Sequence, residues 1–331
     1  MKTERLPCLR ITMRRDTMQD RLGRTIDYLR LSVTDLCNFR CRYCMPENGV
    51  PKLPHSAILS VEEIAEIGQA AAACGIRKIR LTGGEPLVRR GIVEICRRLS
   101  RIEGLRELCM TTNASLLPEL AAPLREAGVG RLNISLDTLS PEKFARITRR
   151  GSLDDVWRGI RAAEDAGFSE LKLDTVLIGG FNDAEIPALV RLTQEHPWEV
   201  RFIELMPMGE CAGWEKSCFL SADAVLRACP ELRPIAPSGV ARRFRLPGAS
   251  GTVGLISPMS HNFCSECRRI RVTADGKLKG CLHSPEEIPL RGLHGAELES
   301  AIRRGILQKP ESHRLNFCGS GTPRDMNEIG G

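Results

Sequence analysis

The chain has 331 residues, a net charge of +7 and an ordinary apolar content, which suits about two domains with a sizeable core. It has no run of about eighteen apolar residues, which argues against a membrane span, and its Arg-rich first segment carries Glu4, Asp16 and Asp20 without an apolar stretch, so it does not read as a secretory signal. Aromatics are only 4 % of the chain, too few for the stacking platforms of a nucleic-acid protein, and the modest positive charge suits a small anionic substrate.

Between Tyr28 and about Leu205 short β-rich runs alternate with helical patterns. The predicted strands cover 28–33, 78–81, 107–111, 131–136, 171–177 and 199–205. Ser60 with Glu63 forms a capping box ahead of the first helix. Ser140 with Pro141 opens another helix, and Asn182 with Glu185 a third. Gly75, Gly128 and Gly167 stand where helix C-termini are expected. Six β-α repeats imply a parallel sheet with helical crossovers, and both an open doubly wound sheet and a curved partial barrel satisfy that pattern. Residues 207–240 read as a connector rich in Gly, Pro and Cys. From Gly239 onward the pattern is that of a smaller, irregular domain. The expected division is an N-terminal extension at 1–21, a first domain at 22–236 and a second at 237–331.

Fourteen cysteines without a secretory signal point to a reducing compartment, where cysteine clusters bind metal or do chemistry. Cys8, Cys74, Cys96, Cys109, Cys211, Cys218, Cys229 and Cys318 are scattered and read as small hydrophobes. The remaining six form two sets. Cys37, Cys41 and Cys44 have the spacing C-x3-C-x2-C directly after the first predicted strand. Three thiolates on one loop can hold three corners of an iron–sulfur cubane and leave one iron open to a ligand. A zinc site would need a fourth ligand, and the nearest histidine, His55, is remote in sequence. The second set is Cys264, Cys267 and Cys281. On spacing alone it fits zinc completed by His261 or His283 as well as it fits a second cluster. Arg269 and Arg271 follow its Cys264–Cys267 pair and alternate on a predicted strand, so both face one side, where they can fork onto phosphate or purine acceptors.

The first cysteine set, followed by Thr82-Gly83-Gly84-Glu85-Pro86 at the end of the second strand, resembles the radical S-adenosylmethionine (SAM) superfamily. The stretch from Arg269 to Leu278 resembles the C-terminal motif of its GTP 3′,8-cyclase family, and the likeness runs over about residues 22–331. It implies an α/β fold, a partial (β/α)6 TIM-type barrel, with a smaller C-terminal α+β domain carrying a second 4Fe-4S cluster. It implies two 4Fe-4S clusters, held by Cys37, Cys41 and Cys44 and by Cys264, Cys267 and Cys281. The open iron of the first would take the methionyl group of SAM, which one electron cleaves to a 5′-deoxyadenosyl radical. Tyr43, Gly84, Ser135 and Met206 stand at the family's SAM contacts, and Arg30, Arg80, Thr111, Lys172, Arg269, Ile270 and Arg271 at its GTP contacts. The family ends in the same Gly-Gly as Gly330-Gly331, whose tail reaches toward the site, so catalytic roles are expected for Arg269, Arg271, Gly330 and Gly331. Arg268 and His283 depart from the family pattern without removing a ligand.

The implied reaction converts GTP to (8S)-3′,8-cyclo-7,8-dihydroguanosine 5′-triphosphate, the first step of molybdenum cofactor biosynthesis. The implied setting is cytoplasmic, with flavodoxin or ferredoxin as electron donor and cyclic pyranopterin monophosphate synthase acting on the product. Neither nucleic acid nor membrane is an expected partner, and a homodimer is left open. A peptide maturase with an auxiliary cluster would usually carry more C-terminal cysteines. A non-enzymatic zinc module would lack iron and sulfide.

Overall fold

The computed structural model describes residues 18–51, 53–313, 315 and 319–330. Its strands alternate polar and apolar side chains. β1 (Tyr28–Ser32) reads Tyr-Leu-Arg-Leu-Ser and β2 (Lys78–Thr82) reads Lys-Ile-Arg-Leu-Thr. The pattern repeats in β3 (Glu107–Thr112), β4 (Arg131–Ser135), β5 (Leu171–Leu177) and β6 (Glu199–Glu204). Successive side chains on a strand point to opposite faces. The apolar set, including Leu31, Ile79, Met110, Ile134, Leu173 and Phe202, is buried in one core. The polar set, including Arg30, Arg80, Thr111, Asn133, Asp174 and Arg201, lines a cavity. Each predicted strand lies within one residue of an observed one.

The core forms between the sheet and the crossover helices α1 (Val61–Ala73), α2 (Ile92–Ser100), α3 (Leu117–Glu126), α4 (Pro141–Thr148), α5 (Leu153–Asp165) and α6 (Ile186–Glu195). Helices cover one face of the sheet and the cavity occupies the other, which is the arrangement of a partial (β/α)6 barrel. The Ser60–Glu63 capping box is present, with Ser60 N donating to Glu63 at 2.7 Å and Glu63 N to Ser60 at 3.1 Å. Gly75, Gly128 and Gly167 have φ of 95°, 96° and 83°, the left-handed geometry that ends helices. Asn182 stands at the N-cap position of a 3-10 turn (Asp183–Glu185), but its side chain makes no capping hydrogen bond. It is fully buried, accepts from Ile178 N and donates to the Asp137 and Val176 carbonyls, which fixes the loop after β5. Its amide is consumed there, and α6 starts instead at Ile186 with Pro at its first turn.

The C-terminal part extends the same sheet on both sides. Its elements are α7 (Asp223–Ala228), β7 (Arg233–Ser238), β8 (Ala241–Arg245), β9 (Thr252–Ile256), β10 (Arg269–Val272), β11 (Lys277–Lys279), β12 (Ile288–Pro289), α8 (Gly295–Leu307) and α9 (Met326–Ile329). The strand order is β12-β11-β10-β1-β2-β3-β4-β5-β6-β9-β8-β7. β10 pairs parallel to β1 and β9 parallel to β6, so the parallel run is longer than the six strands expected. The stretch read as a connector holds α7 and β7. It is tied back by Glu204, which accepts from Ala222 N, Met259 N and Ser260 N.

The loop after β1 and the turn after β2 are stitched together by Gly84 N to the Thr34 carbonyl at 2.9 Å and Glu85 N to the Leu36 carbonyl at 2.8 Å. A Cβ on Gly84 would overlap the Leu36 carbonyl oxygen and come within 2.6 Å of its carbon and 2.8 Å of the Asp35 oxygen. All three are backbone atoms, so the loop itself would have to move. Gly84→Ala is expected to cost about 1–3 kcal/mol, read as a lower midpoint of chemical denaturation. An unchanged midpoint would mean that the two loops separate freely.

Candidate active site

The cavity has a volume of about 960 Å³, and both cysteine sets line it. Cys37, Cys41 and Cys44 lie on the loop after β1, at the C-terminal ends of the parallel strands. Cys267 precedes β10, which runs parallel to β1, and Cys281 follows the antiparallel β11. The second set therefore sits at the opposite mouth, so a ligand spanning the cavity would meet one set at each end.

The first loop is held from several sides. Arg40 Nη1 donates to the carbonyls of Cys37 (2.5 Å) and Phe39 (2.7 Å). Arg40 N and Arg42 N donate to Thr148 and Ile147. The buried Phe39 ring packs edge-on against Phe144 at 6.0 Å. Burial pushes the Cys37 thiol up to about 12 and raises Cys41 and Cys44 as well; for Cys41 the neighbouring thiols add to it. Three mutually interacting thiols gathered on one loop against a cavity fit a group that binds them as thiolates and supplies its own positive charge. Among the described residues, no three His, Cys, Asp or Glu side chains converge as they would on one ion.

The second set is differently charged. Burial raises Cys267, but Arg269 and Lys309 outweigh it and hold the thiol at about 6. Its loop is anchored by Arg24, whose guanidinium donates to the carbonyls of Cys264, Pro310 and Glu311 at 2.8–2.9 Å and pairs with Asp20 at 2.6 Å. His261 is engaged elsewhere, 3.0 Å from Asp223. His283 does line the cavity, 3.2 Å from Ser320 and edge-on to His313.

The residues expected to contact SAM gather at one mouth of the cavity. Tyr43, Gly84, Ser135 and Met206 all line the cavity at or beyond strand C-termini. Tyr43 donates to Asp137 at 2.8 Å. Glu85 is 1 % exposed and accepts from Leu87 N, Thr112 Oγ1 and Asn113 N, while burial pushes its carboxyl up to about 7. The glycine pair before it packs against the chain's own loop at Thr34 and Leu36, which is why glycine is required there.

Across β10, β1 and β2 the register places Arg271, Arg30 and Arg80 in one row on the inner face. Arg80 donates to Tyr28 Oη at 2.6 Å and to the Met110 carbonyl at 3.0 Å, with Thr111 at 3.4 Å. Burial first, then Arg80 and Arg269, bring Arg30 down to about 10, and burial with Arg30 and Arg269 lowers Arg271. Lys172 is engaged by Glu199 at 2.6 Å, yet burial brings it to about 8. Arg269 lies over the Phe263 ring at 5.2 Å. Ile270, the other expected member of this stretch, turns its side chain away from the arginines. It is 1 % exposed in the apolar core, on the face opposite Arg269 and Arg271, so its side chain does not reach the cavity.

The chain's end reaches this row. Arg271 Nη1 and Arg30 Nε donate to the Gly330 carbonyl at 2.5 and 3.4 Å. Gly330 has φ of 78°, and a Cβ there would overlap Thr82 Oγ1. Gly331 lies outside the described residues, as do Cys8 and Cys318. Cys74, Cys96, Cys109, Cys211 and Cys229 are buried as expected, and Cys218 is half-buried. Arg268 pairs with Asp27 on the surface. Sequence reasoning missed Tyr28 and Lys78 on the inner face. Burial raises the Tyr28 phenol, but Arg80, Arg30 and Lys78 outweigh it and bring it to about 8. Their signal was the same alternation that exposes Arg30 and Arg80.

Comparison with known proteins agrees with this geometry. The family model described as the Radical SAM superfamily matches residues 31–193, and that described as Molybdenum Cofactor Synthesis C matches 198–315. The chain is 49 % identical to a GTP 3′,8-cyclase of Peptoclostridium acidaminophilum over 96 % of this chain and 99 % of that one. It is 45 % identical to that of Alkaliphilus oremlandii over 95 % and 100 %. In fold it is similar to Streptococcus suis SuiB bound to S-adenosylmethionine, with a TM-score of 0.59 at 13 % identity, covering 92 % of this chain and 75 % of that one. It is also similar to native anSMEcpe with bound AdoMet, with a TM-score of 0.56 at 13 % identity, covering 92 % and 93 %. The chain belongs to the GTP 3′,8-cyclase family of the radical SAM superfamily.

Proposed function

We propose that this chain converts GTP to (8S)-3′,8-cyclo-7,8-dihydroguanosine 5′-triphosphate in molybdenum cofactor biosynthesis, with SAM as co-substrate. The observation that carries this reading is the row Arg271, Arg30 and Arg80, its outer two buried, between two three-cysteine sets. Guanidinium forks pair two-to-two with phosphate oxygens, and a polyanion relieves the mutual repulsion of the row. Cys37, Cys41 and Cys44 would hold the SAM-binding 4Fe-4S cluster, and Cys264, Cys267 and Cys281 a second one. When bound, the first cluster supplies the electron that cleaves SAM. An electron donor of the flavodoxin or ferredoxin kind fits that demand.

The chain's own residues bind, orient and exclude. Tyr43, Gly84, Ser135 and Met206 shape the SAM end. Arg30, Arg80, Arg269, Arg271 and Lys172 draw the triphosphate, with Thr111 beside Arg80 as a neutral donor. Gly330 lies against Thr82 of β2, where its carbonyl keeps two of these arginines oriented.

The direct test is anaerobic turnover of GTP with SAM and a reductant, followed by mass spectrometry of the nucleotide. The cyclised triphosphate is expected, and its absence while SAM is cleaved would end the reading. Replacing Cys37, Cys41 and Cys44 together by Ala is expected to leave about four irons per chain and to abolish SAM cleavage; full iron content would show that these residues hold no cluster. Arg271→Ala is expected to weaken GTP binding about ten- to a hundred-fold while SAM cleavage persists; unchanged affinity would put the phosphates elsewhere. A chain ending at Ile329 is expected to keep its iron and lose most product formation, and full-rate turnover would make the tail a bystander.

A further inference from the structure

Two residues of the cavity wall, Asn133 on β4 and Asp174 on β5, have no task in this scheme. Asn133 is 4 % exposed and its Nδ2 donates to Asp174 Oδ2 at 2.7 Å. The other oxygen of each side chain, Asn133 Oδ1 and Asp174 Oδ1, is buried and without a hydrogen-bond partner. Buried acceptors are nearly always satisfied. Two such oxygens side by side on a cavity wall fit a ligand that brings donors.

Position narrows what that ligand group is. Asp174 is the cross-strand partner of Ser135, at the SAM end. It lies two residues beyond Lys172 on the same strand, a rise of about 6.6 Å. Its carboxylate is within Coulombic reach of Arg30 and Arg80 on the facing wall and of Asp137 beside Tyr43. A triphosphate offers only acceptors and negative charge, so a carboxylate repels it. The sugar of a nucleotide offers hydroxyl donors. With phosphates at the level of Lys172 and Arg80, the next group along the cavity toward Ser135 is the ribose. The ribose must also meet the SAM end, because its 3′ hydrogen is the one removed.

We propose that Asp174, oriented by Asn133, accepts a hydrogen bond from a ribose hydroxyl of the nucleotide and thereby aims the 3′ hydrogen at the SAM end of the cavity. This rests on the reading of GTP as substrate. Asp174 would be a substrate-touching residue, and Asn133 a positioning residue acting through it.

The test compares wild type with Asp174→Ala and Asp174→Asn, all with both cysteine sets intact and equal iron content. Affinities for GTP, 2′-deoxyGTP and 3′-deoxyGTP are measured, together with the ratio of 5′-deoxyadenosine released to nucleotide cyclised. Asp174→Ala is expected to weaken GTP about ten- to a hundred-fold. The same variant should bind at least one of the deoxynucleotides as well as wild type does, because the hydroxyl that Asp174 served is already missing. It should also release more 5′-deoxyadenosine per product. Asp174→Asn keeps the shape and an acceptor, so it should fall between. Equal weakening of all three nucleotides, or unchanged GTP affinity with unchanged coupling, would overturn the inference alone. Failure of wild type to cyclise GTP would instead overturn the substrate reading and this inference with it.

Discussion

Like charges held out of water dominate this molecule. Arg271, Arg30 and Arg80 lie side by side on three adjacent strands, and Arg80 and Arg271 are 3 % and 7 % exposed. Neighbouring strands are about 4.8 Å apart. Two unit charges at that spacing repel by roughly 3 kcal/mol at an effective dielectric of 20. Desolvation of each ion adds to that cost. The rest of the fold offsets it locally. Tyr28 Oη and the carbonyls of Met110 and Gly330 take guanidinium protons, and the second face of the same strands packs the apolar core. The sheet thus carries two opposite demands on its two faces, and strict alternation along each strand is the solution.

The tail depends on this row and is delivered to it by other buried charges. Arg324 pairs with Glu287 at 2.6 Å and with Asp275 at 2.9 Å, which pins the segment before α9 to the turn between β10 and β11. Lys279, fully buried, donates to the Ser284 carbonyl and Thr322 Oγ1 from the same side. The Asp325–Glu328 capping box then starts α9, Asn327 Nδ2 donates to the Asp35 carbonyl, and Ile329 is fully buried. A segment held at so many points does not fray. Met326 brings it to the cavity wall, and the left-handed φ of Gly330 sets where its carbonyl points.

Much of this was legible in the sequence, because the signals were local. Strand positions follow from β-rich runs between helix caps, and the spacing of Cys37, Cys41 and Cys44 is a loop property. What escaped was set by long-range pairing. Nothing near Cys264 says that β10 inserts beside β1, yet that pairing puts Arg271 next to Arg30. Asn182 carried a cap signal that a buried loop claimed instead. Ile270 shares a motif with Arg269 and Arg271, but the period of two turns its side chain into the core. Strand alternation alone separates its side chain from those of its neighbours.

The direction of β10 also explains why two cysteine sets serve one cavity without crowding. Both β1 and β10 run the same way. The first set follows β1 and the second is led by Cys264 and Cys267 ahead of β10, so the strands' own length keeps them apart. Five residues of β1 at about 3.3 Å each already separate the two mouths by roughly 16 Å. A substrate addressed by both ends must therefore lie along the strands and not across them. A nucleotide lying so would have the arginine row and the Asn133–Asp174 pair along one cavity, the first suited to its phosphates and the second to its hydroxyls.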